Sequence, residues 1–158
     1  MKLRFIVVLS LIFSGLCLTG CATVPTQDAV KTQEAKTFKT PSENMAGIYF
    51  FRDSLFGMAL KKDIRIDGKC IGETAPNTFF YVEVEGDKTH QIATESEFSD
   101  NILTLNTEKG MLYFIRQYIK MGVFVGGANL EEVSTDEAKE IISDSSMKLA
   151  LSGNCSNG

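Results

Sequence analysis

The chain has 158 residues, enough for one domain and short for two. Hydrophobic residues make up 44% and charged residues 23%, an ordinary balance for a globular protein. The net charge is −4; residues 1–20 hold Lys2 and Arg4 and no acid, so without them 14 basic residues face 20 acidic ones, or −6. Such a domain is a poor partner for nucleic acid, because phosphate contacts need clustered Lys and Arg.

At the N-terminus Lys2 and Arg4 precede an uncharged apolar stretch, Phe5 to Leu18, broken only by Ser10, Ser14 and Gly15. That stretch is shorter than the about 20 residues a spanning helix needs. Small residues stand just before Cys21, so residues 1–20 are predicted to be a cleaved secretory signal. Leu18-Thr19-Gly20-Cys21 resembles a lipobox, the motif of bacterial lipoprotein signals. The resemblance implies a diacylglycerol on the Cys21 thiol, cleavage between Gly20 and Cys21, and acylation of the new amino group. One acyl chain binds a membrane marginally, whereas two or three make the anchor durable. Ala22 follows the Cys where Asp would favour the inner membrane of a two-membrane bacterium, so the expected location is the cell outer membrane, on its periplasmic face.

Residues 21–45 are polar, rich in Thr, Gln, Lys and Glu, and contain Pro25 and Pro41. Apart from a loose helical turn at Ala29 to Lys36, they read as a flexible tether. A coil of that length has a span of roughly 25–30 Å and a contour limit near ~80 Å, which would let the domain stand clear of the membrane.

From Ala46 short apolar runs alternate with turn signals. Gly47 to Arg52 reads as a first strand. Asp67-Gly68, between Asp63 to Asp67 and Lys69 to Thr74, is the strongest short hairpin signal in the chain. Lys61-Lys62, the one adjacent basic pair of the domain, fits a solvated strand end. Phe79 to Glu85 alternates, with Phe80, Val82 and Val84 on one face and Glu83 and Glu85 on the other. Gly86-Asp87 turns the chain into Thr89 to Thr94, and Asn101 to Asn106 alternates again. Met111 to Ile119 is apolar on both faces and is predicted to be central. Val123 to Val125 and Ala128 to Glu132 follow, separated by Gly126-Gly127. One helix is predicted next. Ser134 and Glu137 form a capping box, and Ala138, Ile141, Ile142, Ser145 and Leu149 fall on one face.

The expected fold class is therefore mainly β: a small antiparallel β-sandwich of about 7–8 strands with one C-terminal amphipathic helix, over residues 46–151. Residues 152–158 are predicted to be a frayed tail.

The order of Ile48-Tyr-Phe-Phe-Arg52, Ile64-Arg-Ile-Asp-Gly-Lys69, Ile71-Gly-Glu73, Gly86-Asp-Lys-Thr-His90, Gly110-Met-Leu-Tyr-Phe-Ile-Arg116 and Gly126-Gly-Ala-Asn-Leu-Glu131 resembles the bacterial lipoproteins grouped as domain-of-unknown-function family 2846. The likeness spans about residues 45–150 and rests on order and spacing. It implies a β-sandwich similar to surface-layer and carbohydrate-binding-like domains, and brings no activity or site residue with it.

Candidate chemistry is sparse. Cys17 leaves with the signal and Cys21 is the lipidation site, so Cys70 and Cys155 remain in a compartment that permits disulfides. They either pair, pinning the tail to the Asp67-Gly68 hairpin, or stay as two thiols. His90 is the only histidine and reads as a strand-start residue. Ser96, Ser99 and Ser143 lack the context of a nucleophile elbow. Glu95, Glu97 and Asp100 cluster on a loop; a calcium site is weighed against a solvated acidic loop, and the spacing matches no EF-hand. Gly122 to Gly127 reads as a bulge or bend. Among Tyr49, Phe51, Phe79 and Tyr81, some must face away from the core, toward a helix, another sheet or a partner. No metal or cofactor is expected. The expected function is a lipid-anchored interaction module with the membrane and an envelope protein as partners. A carrier of a small apolar or glycan ligand is the alternative, and an enzyme comes third.

Overall fold

A computed structural model describes residues 20–155. The signal read at residues 1–20, apart from Gly20, and the last three residues of the tail lie outside the described residues.

Nine strands form the described domain: β1 (Met45–Arg52), β2 (Lys62–Ile66), β3 (Lys69–Thr74), β4 (Thr78–Glu85), β5 (Lys88–Thr94), β6 (Asn101–Thr107), β7 (Leu112–Lys120), β8 (Gly127–Glu132) and β9 (Lys148–Leu149). Two helices accompany them, α1 (Ala29–Ala35) and α2 (Thr135–Ser143). The strands make two sheets, β8-β7-β1-β4-β9 and β3-β2-β5-β6. The mainly β sandwich expected from the sequence is the fold.

Local sequence explains several of the turns. Asp67 and Gly68 both adopt positive φ, 50° and 77°, as a two-residue hairpin turn requires. Gly72 sits opposite the register shift between Ile64 and Arg65, and a Cβ there would lie 2.7 Å from the Phe80 ring. The glycine is needed for that close approach.

Alternation in β1 distributes its side chains between two layers. Ile48 and Phe50 point between the sheets, where they meet Ile64, Phe80, Ile92 and Ile115. Tyr49 and Phe51 point the other way, with Phe79, Phe114, Ala138, Ile142 and Met147. Burying each such side chain contributes about 1.5–3 kcal/mol, so both faces of the five-stranded sheet hold the fold together. The second face is covered by α2 and by the segment containing α1 and Phe38.

That covering corrects the flexible tether. Asp28 caps α1 by accepting from the Lys31 N–H, Gln27 bonds the Leu149 carbonyl at 2.8 Å, and Tyr49 donates its hydroxyl to the Ala35 carbonyl at 2.7 Å. Phe38 packs on Tyr49 and Phe114 at ring separations of 5.2 and 6.0 Å. An aromatic sheet face that would otherwise meet water holds residues 22–45 down. The helix expected at the C-terminal end is present, with the Ser134 side chain accepting from the Glu137 N–H, but α1 makes a second.

Three further points differ from the sequence prediction. The sandwich is not wholly antiparallel, since β1 runs parallel to β7 and β4 parallel to β9. Residues 123–125 form a loop, and α2 ends at Ser143, which frees Leu149 to pair with Phe79. The tail is tied to β3 as far as Cys155, where Gly153 bonds the Ile71 carbonyl at 2.8 Å.

Because β1 and β7 run parallel, Arg52 and Lys120 finish at the same end of the sandwich. β2 starts and β5 finishes at that end too, as the Ala128 N–H to Glu95 carbonyl bond shows. Loops 53–61, 95–100 and 121–126 therefore gather there.

Candidate functional site

Two charged side chains shape this end. Arg52 is fully buried at the end of β1. Its guanidinium donates 2.7 Å hydrogen bonds to the carbonyls of Leu60 and Gly57 and a longer one, 3.4 Å, to that of Phe56. Burial pushes its pKa down to about 10, so it is still a cation at neutral pH. Loop 53–61 is thus wrapped around a cation by its own carbonyls. Gly57 closes the wrap with φ of 68°, where a Cβ would lie 2.8 Å from Ile119.

Glu97 does the converse for loop 121–126. Its carboxylate accepts from the N–H groups of Val123 at 2.6 Å, Val125 at 3.0 Å, and Phe124 between them. Desolvation pushes the carboxyl pKa up, but the three amide bonds outweigh it and hold the group below its ordinary range. Gly122 gives the loop its tightness, since a Cβ there would collide with the Val125 carbonyl oxygen. The side chains beyond both clamps point outward: Phe56 is 55% exposed and Phe124 83%.

Cys21 lies beside the first of these loops. Ala22 donates its N–H to the Met58 carbonyl at 2.7 Å, and the Cys21 thiol sits 3.8 Å from the Met58 sulfur. The thiol is free and exposed, and Gly20 before it is exposed as well.

The remaining candidates have structural partners. Cys70 and Cys155 are joined in a disulfide across 85 positions, at the start of β3. His90 is buried in β5 toward the opposite end. Its Nδ1 meets Asp67 at 2.7 Å and its Nε2 the Glu85 carbonyl at 2.9 Å, so it links two turns. Hydrogen bonds from the Gln91 N–H and then His90 lower the Asp67 pKa. Ser96 abuts Gly127 and Ser143 ends α2, and neither shares a hydrogen bond with His90 among the described residues. Glu95 pairs with Lys62 at 3.1 Å and Asp100 approaches Arg65 at 4.0 Å. With Glu97 on backbone amides, each acid of that loop serves a different partner, and no three metal-ligating side chains cluster among the described residues.

A groove of about 420 Å³ opens between α1 and β4, lined by Lys31, Glu34, Tyr49, Tyr81 and Glu83. Tyr81 donates to Glu83 at 2.9 Å, and the Ser42 N–H donates to the same carboxylate at 3.2 Å. The polar groups of that groove are occupied with one another. At the His90 end an opening of about 320 Å³ enters between the sheets, lined by Ile66, Ile71, Val82, Val84 and His90.

The sequence reading singled out Cys21 but not the apolar loops beside it. The signals were the apolar residues beside glycines: Met121 before Gly122, Val123 to Val125 between Gly122 and Gly126, and Leu55-Phe56 with Met58 around Gly57. Val123 to Val125 read as a strand, and residues 55–58 carried no reading, so no exposed cluster was expected.

A family model described as a protein of unknown function (DUF2846) matches residues 42–128. An uncharacterized protein of Haemophilus influenzae is 50% identical over 141 residues, covering 89% of this chain and 83% of that protein. No solved structure matches.

Proposed function

The chain belongs to the family of proteins of unknown function DUF2846, and on that premise we propose that it is an envelope lipoprotein acylated on Cys21. Its sandwich is a binding and interaction module held at the outer membrane, on the periplasmic face. One observation carries this reading: the first backbone hydrogen bond of the described fold belongs to Ala22, directly after an exposed, unpaired Cys21. Cleavage between Gly20 and Cys21 would cost the described fold no backbone hydrogen bond. The exposed thiol is free to carry a diacylglycerol before that cut. Among the described residues no helix is long and apolar enough to cross a membrane, so the attachment in this proposal is the lipid. No catalytic role is assigned, because both nitrogens of His90 are committed to holding turns.

Growth of the source bacterium on labelled palmitate tests the anchor. Label is expected in the wild-type chain in the outer-membrane fraction and not in Cys21→Ala. Label retained by Cys21→Ala, or absent from the wild type, would overturn it. Crosslinking in intact cells, followed by capture of the full chain, tests the interaction role; recovery of no envelope protein above background would count against it.

A further inference from the structure

The hydrophobic residues left outside the core are not scattered. Eight of the twelve large hydrophobic residues that stay exposed among those described lie in loops 53–61, 95–100 and 121–126. The most prominent are Met121 at 86%, Phe124 at 83% and Phe98 at 78% exposure. A monomeric surface rarely gathers such residues without an occupant for them.

The three loops are neighbours. Glu97, next to Phe98, holds loop 121–126 through its amides. Gly126 lies against Leu60, where a Cβ would be 2.8 Å from that side chain. The buried Arg52 fixes the carbonyl side of loop 53–61. Because Arg52 takes three carbonyls of one loop and Glu97 three amides of the other, fewer polar backbone groups stand beside the apolar tips that these loops offer to a medium that hydrogen-bonds poorly. The chain itself indicates the medium, since Cys21 emerges at Met58 in the first loop.

From this placement we propose that the three loop tips form a membrane-seating face, with Phe56, Phe98, Phe124, Met58, Met121 and Val123 entering the lipid interface around the acyl chains on Cys21. The inference rests on the lipoprotein reading and extends it. The lipid fixes the chain to the bilayer, and the loop tips fix which end of the sandwich meets it. Aromatic and apolar tips at headgroup depth add a second attachment to the lipid, the combination that makes anchoring stable. Helix α1 and the segment around it are packed on the sheet, so no long spacer lifts the domain away.

The test uses the full chain, processed in cells, purified in detergent and reconstituted in vesicles of phosphatidylethanolamine and phosphatidylglycerol. With Cys21 acylated and Cys70 bound to Cys155, a thiol introduced by Phe124→Cys takes an environment-sensitive fluorophore selectively. Lys109→Cys, at the opposite end, is the control. The fluorophore at 124 is expected to shift to shorter wavelength and to be quenched several-fold more strongly than at 109 by phospholipids carrying a nitroxide on the acyl chain. Val123→Asp is expected to weaken the quenching at 124. Equal, weak quenching at 124 and 109 overturns the proposal, as does a probe at 124 that reports water on vesicles and crosslinks to a protein in cells. The mass of the N-terminal peptide separates the two readings. An acylated Cys21 with position 124 in water defeats only the seating face, whereas a Cys21 without lipid defeats both.

Discussion

Ala22 bonds the Met58 carbonyl at 2.7 Å, so the residue that follows Cys21 is fixed to the end of the domain where most exposed apolar side chains gather. Flexibility between Cys21 and the sandwich is small as a result. If the segment behind Ala22 is packed as described, trypsin cuts slowly at Lys31, Lys36 and Lys39. Phe38→Ala removes the ring that sits on Tyr49 and Phe114 and is expected to cost about 1–2 kcal/mol and speed cleavage at those lysines. Rapid cleavage of the wild type there would restore the free tether.

Removal of the disulfide has a calculable effect. Closing a loop of 85 residues restricts the unfolded chain by roughly 4–5 kcal/mol in the chain-entropy model. Cys70→Ser, Cys155→Ser and the double variant should therefore lose similar stability in urea unfolding. Additive losses would mean that the two sulfurs do not act together.

The Arg52 clamp predicts a local effect as well as a global one. Arg52→Met keeps the apolar stem and takes the donors from the Gly57 and Leu60 carbonyls. Leaving them unsatisfied should cost about 2–3 kcal/mol. Hydrogen exchange should rise first in residues 54–61, and unchanged exchange there would contradict the clamp.

Glu97 makes loop 121–126 sensitive to acid. Its carboxyl pKa is lowered in the folded state, so its contribution is fully present above the ordinary value of about 4.3 and is lost as pH falls below that value, through the lower folded one. Amide exchange at Val123 to Val125, corrected for its intrinsic pH dependence, should be protected at neutral pH and lose protection in that acid window. Glu97→Ala should remove the protection at every pH. Protection that persists in Glu97→Ala would show that the loop holds itself.

The sequence disclosed what local chemistry controls. Asp67-Gly68 had the residues of a tight turn and takes positive φ at both. Ser134 and Glu137 marked the start of α2, and the alternation of Phe80, Val82 and Val84 placed β4 correctly. Long-range choices were hidden. Nothing in Met111 to Ile119 says that β7 runs parallel to β1. The covering role of α1 and Phe38 was hidden because it depends on Tyr49 and Phe114, which lie on strands further along the chain. At the site, the clamps join Arg52 to loop 53–61 and Glu97 to a loop some 26 positions away, beyond the reach of any local motif. Those relations exist only in the fold.

The most direct measurement is the mass of the N-terminal peptide of the chain recovered from the outer-membrane fraction. The account predicts a mature chain that begins at Cys21 and carries a diacylglyceryl group on its sulfur. A chain that keeps residues 1–20, or begins at Cys21 with a free thiol, would contradict it.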